Sequence, residues 1–318
     1  MRFSFGIIGC GKIAGQYNIS NKFNTDDFTH AGAFSKYFDP IICLDKNILK
    51  AKSFKNKWSF KKYSNKLSSL KRNTLDILIV ATDTDSHYKI LLEILKLKIK
   101  PKIVVCEKPL TNNYSLCKRI INLYKKKNIK LITNYQRRWD SKNLVIKAKI
   151  VKNSFFGQFR SGYCCYSKGA LNTSSHLIDL FLLFFGDLKI IKFNAKYFSD
   201  YFSNDKTKPF ALKTKENKII YFLPTHYNEN KNVEIKLFFA KKILETEDAC
   251  ISWSTRDYVS KNILKYEKSK IKNLLSFNAP SVLNLAKIIY DYLYKNKYIN
   301  FTKYNLQDIK IHQLLSKI

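Results

Sequence analysis

Four short stretches of the chain hold the residue types that could do chemistry. "GIIGCGKIAG" sets Gly9, Gly11 and Ala14 in a G-x-G-x-x-A pattern behind an apolar run. Glycines in that pattern let a backbone approach a pyrophosphate, and the free N–H groups of a following helix attract the anion. The other reading is a tight turn between strand and helix. "ATDTDSH" brings Thr82, Asp83 and His87 to the end of the third apolar run, where His87 could equally begin a helix. "VVCEKPL" halts a core-like run at Glu107, Lys108 and Pro109, and Lys108 is either aimed at a ligand or a surface residue. "SKGALNTSSHLIDL" carries Asn172, His176 and Asp179, either a polar constellation or a capped helix with an incidental histidine.

A dinucleotide site also needs an acid at the end of the second strand, to hold the adenosine ribose hydroxyls. Asp45 closes "IICLD", 34 residues after Gly11. The usual interval is about 20, and the polar segment "NISNKFNTDDFTH" accounts for the excess as a longer connection. A carboxylate there would repel a 2′-phosphate. NAD is therefore expected over NADP, which Lys46 alongside leaves open.

These residues need elements to position them. Up to residue 135, apolar strands ("FSFGIIG", "PIICLD", Leu75 to Ala81, "KIVVCEKPL", "KLITNY") alternate with helices at Tyr88 to Lys98 and Ser115 to Lys127. Such alternation implies an α/β fold with a parallel sheet covered on both faces. In an open parallel sheet, ligands bind beyond the carboxyl ends of the strands. The glycine loop, Thr82, Asp83, His87, Glu107 and Lys108 all fall at that edge.

After Trp139 the pattern changes. A helix from about Ser141 to Lys152 precedes alternating strands: "GQFRSGYCCYS", "LKIIKFNAKYF", "KIIYFLP", "NVEIKLFFAKKILETE", "ACISWST" and "NILKYEKS". They read as an antiparallel or mixed sheet with one solvated face. One helix near His176 to Phe185 interrupts them, and the C-terminus returns to helix. The expected domains are 1–138 and 139–318.

The 318 residues carry 58 Lys plus Arg against 24 Asp plus Glu, a net charge of +34. Only seven of the basic residues are Arg, and the lysines are scattered among many Asn, Ile, Tyr and Phe. A nucleic-acid reader clusters its charge and favours Arg at base contacts, so compositional drift is the better account and no nucleic-acid partner is expected. The longest apolar stretch, "LIDLFLLFF", is far short of the ~20 residues of a membrane span. Seven cysteines without a CxxC pair point to a reducing cytoplasm and no metal site.

A glycine loop near the N-terminus, "AT" with a downstream His, "EKP", then H-x-x-D opening a helix resembles the Gfo/Idh/MocA oxidoreductases. The resemblance implies an N-terminal Rossmann domain and a C-terminal α+β domain with an open, mainly antiparallel sheet that forms homodimers or homotetramers. It implies hydride transfer between NAD(P) and a carbinol or carbonyl carbon of a sugar, inositol or nucleotide sugar. Cofactor contacts would fall on Gly9, Gly11, Lys12, Ile13, Asp45, Thr82, His87 and Glu107. Lys108, its direction fixed by Pro109, would exchange a proton with the substrate hydroxyl, its pKa lowered in a partly desolvated cleft. His176 would be the second acid–base group. Asn172, Arg138 and Asp179 would meet substrate. Many sugar dehydrogenases of this kind have Asp where Asn172 stands, and an amide cannot take a proton. That departure leaves a second possibility, a lapsed homologue that binds a nucleotide or sugar without turnover.

Overall fold

The computed structural model describes residues 2–17, 25–194, 199–229, 233–247, 249–250, 252–257, 268–270 and 280–318. The chain forms two compact units: Met1–Asp140 with Ala279–Lys310, and Ser141–Asn278 with Ile311–Ile318.

The first unit is built on six parallel strands, β1 (Ser4–Ile8), β2 (Asp39–Leu44), β3 (Lys62–Ser64), β4 (Ile77–Val80), β5 (Ile103–Glu107) and β6 (Lys130–Asn134), in the order β3-β2-β1-β4-β5-β6. Alternate residues face opposite sides. Ile77, Ile79, Ile103 and Val105 join one apolar cluster, while Leu78, Val80, Val104 and Cys106 join another. Both faces are thus buried, which is why these strands read as continuous apolar runs. β3, sequence "KYS", has no such run and was not expected.

Helices α1 (His30–Ser35), α2 (Ile48–Trp58), α3 (Thr84–Lys96) and α4 (Tyr114–Lys126) connect the strands, followed by the short α5 (Gln136–Trp139). Polar side chains set where several begin. Asn47 accepts from the N–H groups of Leu49 and Lys50, Asn113 from those of Ser115 and Leu116, and Thr29 from that of Gly32. The helix expected directly after the glycine loop is only one turn, Lys12–Gln16, broken by the extended backbone of Gly15.

The second unit starts with α6 (Ser141–Lys152) and contains β7 (Phe159–Tyr166), α7 (Ser175–Phe185), β8 (Lys189–Lys192), β9 (Phe210–Lys213), β10 (Ile219–Pro224), β11 (Glu234–Phe239), β12 (Lys242–Thr246), β13 (Ser254–Asp257) and β14 (Lys268–Lys270). The sheet order is β14-β13-β12-β11-β7-β10-β9-β8. Among the described residues only β7–β10 is parallel, so the sheet is mainly antiparallel. Its inner face (Cys164, Tyr166, Leu212, Phe222, Ile235, Leu237) is buried, as is most of α7, and Phe181 of α7 meets Phe222 edge-on. The run "NVEIKLFFAKKILETE" is a hairpin of β11 and β12 rather than one strand, and most of "NILKYEKS" lies outside the described residues.

The helices α8 (Ser281–Lys295) and α9 (Phe301–Leu315) close the chain. Val282, Leu285, Ala286 and Ile289 of α8, with Ile299 and Phe301, pack into the first unit's core. Residues 139–318 are therefore not one unit. The boundary near 138 marks only the first crossing, because an amphipathic stripe does not say which core it will cover.

Candidate active site

The glycine loop closes against its neighbours at the point where β1 and β4 part. Gly9 has φ +91°, and a Cβ there would lie 2.7 Å from the Ala81 carbonyl oxygen. Only glycine fits. A Cβ on Gly11 would meet nothing within 4 Å. Its place is open space, on a cleft of about 560 Å³ that Gly9, Asp45, Lys46, Lys50, Asn65, Thr82, Asp83 and Ser86 also line.

Asp45 Oδ2 accepts from the Cys10 N–H at 2.9 Å, and Oδ1 accepts from the Asn47 N–H at 3.0 Å. Lys50 Nζ stands 3.8 Å from Oδ2. The acid thus fastens the glycine loop and still faces the cleft. Thr82 lines the same cleft and accepts from the Ser86 hydroxyl at 2.7 Å. Lys12 is exposed, and Ile13 packs on the core. Lys50, Asn65 and Ser86 were missed by sequence reasoning, because none sits in a recognisable spacing. The room at Gly11, the acid at the β2 end and the polar lining fit a dinucleotide's adenosine end.

At the next strand end, Glu107 is 7% exposed. Its Oε1 accepts from Asn134 Nδ2 at 2.7 Å and lies 2.7 Å from His30 Nε2. Its Oε2 accepts from the Lys108 N–H at 3.3 Å. Burial alone would raise the Glu107 pKa. Hydrogen bonds from His30 and Asn134 and the charge on Lys108 outweigh that, so the carboxyl is held below its ordinary value. The Lys108–Pro109 peptide is cis.

Three expected contacts take other roles. Glu107 spends both oxygens on the protein and anchors the loop. His87 is wholly buried, with Nδ1 3.0 Å from the Pro109 carbonyl and Nε2 3.0 Å from that of Thr82. It braces two strand ends and is not presented to a cofactor. Arg138 is 1% exposed, donates to Asp308 Oδ1 at 2.8 Å and lies against the rings of Tyr135, Trp139 and Tyr304. It is a core ion pair, not a substrate contact.

In the second unit, Asn172 and His176 are half-buried at the entry to α7. Asp179 is wholly buried one turn on, which removes it as a substrate ligand. The approach to α7 is held by two acids the sequence reading did not single out. Asp200 Oδ2 accepts from the Lys168 N–H at 2.7 Å. Asp205 accepts from the N–H groups of Leu171 at 2.8 Å and Asn172 at 2.7 Å. Gly169, at φ +83°, lets the Asp205 carboxylate lie where a Cβ would be. Burial raises the Asp205 pKa; the backbone N–H groups oppose it, while the Asp200 charge adds to it.

Among the described residues no cluster of His, Cys, Asp and Glu could hold a metal ion. No helix is long and apolar enough to cross a membrane.

Residues 3–135 match the Gfo/Idh/MocA family model, described as "Oxidoreductase family, NAD-binding Rossmann fold". This part of the chain is similar to that family's NAD-binding Rossmann domain, and its six-stranded parallel sheet is Rossmann-like. A search of curated protein sequences finds no match. Solved structures extend the likeness of fold to the whole chain. KijD10, a 3-ketoreductase from Actinomadura kijaniata in complex with NADP, gives a TM-score of 0.77 at 13% identity, over 100% of this chain and 97% of that one. The WlbA dehydrogenase from Bordetella pertussis, in complex with NADH and UDP-GlcNAcA, gives 0.74 at 16% identity, over 100% and 96%. A super-repressor mutant of Gal80p from Saccharomyces cerevisiae gives 0.74 at 14% identity, over 100% and 95%.

Proposed function

We propose that this protein is an NAD-linked dehydrogenase or reductase acting on a carbinol or carbonyl carbon of a sugar, inositol or nucleotide sugar. The observation that carries the reading is the position of Lys108. It follows the anchored Glu107 at the carboxyl end of β5, on the sheet edge that also holds the glycine loop. Gly9, Gly11, Asp45 and Thr82 would hold the dinucleotide, whose nicotinamide supplies the hydride acceptor or donor when bound. In oxidation, the Lys108 amine takes the proton of the substrate hydroxyl. In reduction, its ammonium returns a proton to the carbonyl oxygen. His176 is the second proton-handling group, and Asn172 is a hydrogen-bond partner for a substrate hydroxyl.

The nucleotide-sugar ligand of WlbA and the 3-ketoreductase KijD10 support a sugar or nucleotide sugar as substrate class. A homodimer or homotetramer in the cytoplasm completes the proposal. A second reading rests on the amide at Asn172 and on the likeness to Gal80p, a repressor. It makes the chain a binder of nucleotide or sugar without turnover. Following NADH absorbance over a panel of sugars, inositols and nucleotide sugars, in both directions, separates the two. Turnover of any of them supports the enzyme; NADH binding with no turnover across the panel favours the binder.

A further inference from the structure

We propose that His30 is a positioning residue for Lys108, acting through Glu107. The role given to Lys108 rests on the function proposed above; the His30–Glu107 contact does not. His30 opens α1 and is wholly buried, 77 residues from Glu107 in sequence. Its helix is fixed by the Thr29 cap and by Ala31, Ala33 and Phe34 in the core.

Glu107 is nearly buried and, when ionised, can only accept hydrogen bonds. The hydrogen between it and His30 must therefore sit on His30 Nε2. The other ring nitrogen, Nδ1, is buried with no partner among the described residues. Among the described residues the ring's one hydrogen-bond partner is therefore the carboxylate. With Asn134 it gives Oε1 two side-chain donors, which keeps the carboxylate beside Lys108 and leaves Oε2 for the Lys108 N–H. A buried anion stripped of one donor either takes a proton or turns to water. In both cases the Lys108 ammonium loses a nearby negative charge and its backbone loses an anchor.

Other titratable groups feel the same charge. Burial and then Glu107 raise the Tyr17 phenol. Burial, Glu107 and Asp308 raise the Cys106 thiol. Both titrate on the alkaline side and can be followed separately.

The test is competitive acylation of the folded protein across pH, read by mass spectrometry on the peptide that carries Lys108. It needs no substrate, so its outcome stands apart from whether turnover is ever found. His30→Leu should lower the Lys108 midpoint by about 1 unit, the scale of one nearby charge. His30→Gln, which keeps an N–H donor, should hold it near the wild-type value. If His30→Leu does not fold, Glu107→Gln takes its place and should give the same fall. In wild-type protein labelled with 15N-histidine, the His30 signal, assigned by its loss in His30→Gln, should show hydrogen on Nε2. A substrate, once known, should be turned over ~10²-fold more slowly by His30→Leu, with recovery in His30→Gln. An unchanged Lys108 midpoint in a folded His30→Leu, or a His30 ring with bare Nε2, overturns the proposal.

Discussion

Glu107 and Asn134 are register partners at the ends of β5 and β6, and the Asn134 amide donates to the Glu107 carboxylate across 2.7 Å. Asn134 is itself wholly buried. Asn134→Asp would remove that donor and set a second carboxylate against the first. Two carboxylates sharing a site cannot both ionise cheaply, so one pKa should rise. The variant should lose roughly 1–3 kcal/mol at neutral pH. Its deficit against wild type should shrink as pH falls and the pair takes up its proton. Urea denaturation at several pH values measures this; a deficit that is flat with pH would contradict it.

Arg138 and Asp308 form an ion pair with side chains 1% and 0% exposed, and Thr133 also donates to Asp308. Removing one partner leaves a buried charge uncompensated. Asp308→Asn should cost about 3–5 kcal/mol. Replacing both, as Arg138→Met with Asp308→Leu, should cost clearly less than the single change. A thermal melt of the two variants decides it, and a double variant as weak as Asp308→Asn counts against the assignment.

The strand ends at Glu107 and Lys108 were legible because burial on both faces makes each strand a plain apolar run, and a charged pair ends one abruptly. Their surroundings were not. His30 follows a polar segment, and nothing in its local pattern names Glu107. Asp200 and Asp205 reach back more than 30 residues to the backbone at Lys168–Asn172, a contact without side-chain periodicity. "QRRW" does not say which arginine is buried, and only the fold brings Asp308 to Arg138. The return of α8 was hidden because its stripe fits any apolar surface.

His312 is 2% exposed, and its Nε2 has no partner among the described residues. Burial pushes its pKa down to about 4 from 6.5. The unfolded chain therefore binds a proton between those values that the folded one refuses. The stability tied to a neutral His312 is full above pH 6.5 and is lost as pH falls towards 4, by about 3 kcal/mol in all. His312→Phe should flatten that part of the stability–pH curve. An unchanged slope between pH 6.5 and 4 would show that other groups dominate it.

Asp45 both fastens the Cys10 N–H and faces the cleft beside Gly11. NADH should therefore bind more tightly than NADPH. Asp45→Asn keeps an acceptor for Cys10 while losing the charge, so it should narrow the preference by about 10-fold, the worth of one charged hydrogen bond. Asp45→Ala should also weaken NADH itself, because the loop loses its tie. Fluorescence titration of both dinucleotides reads this; equal affinities in the wild type would refute the assignment.

Lys108 is the residue on which the proposed chemistry depends, and it can be altered without touching the glycine loop. Lys108→Met keeps the stem and removes the amine. NADH affinity should stay within a few-fold, since Gly9, Gly11 and Asp45 are intact, while turnover should fall by ~10²-fold or more, the scale of positioned acid–base catalysis. His176→Ala should lose less if the lysine is the main proton carrier, and about as much if the two act as a unit. Asn172→Asp should fold, since residue 172 is only half-buried, and its added carboxylate should raise the pKa of a nearby imidazole and move the pH optimum upward. The decisive number is the Lys108→Met rate on whichever sugar is turned over. Undiminished turnover would reduce "EKP" to a strand stop braced by His30 and His87, and the proton would have to be handled elsewhere.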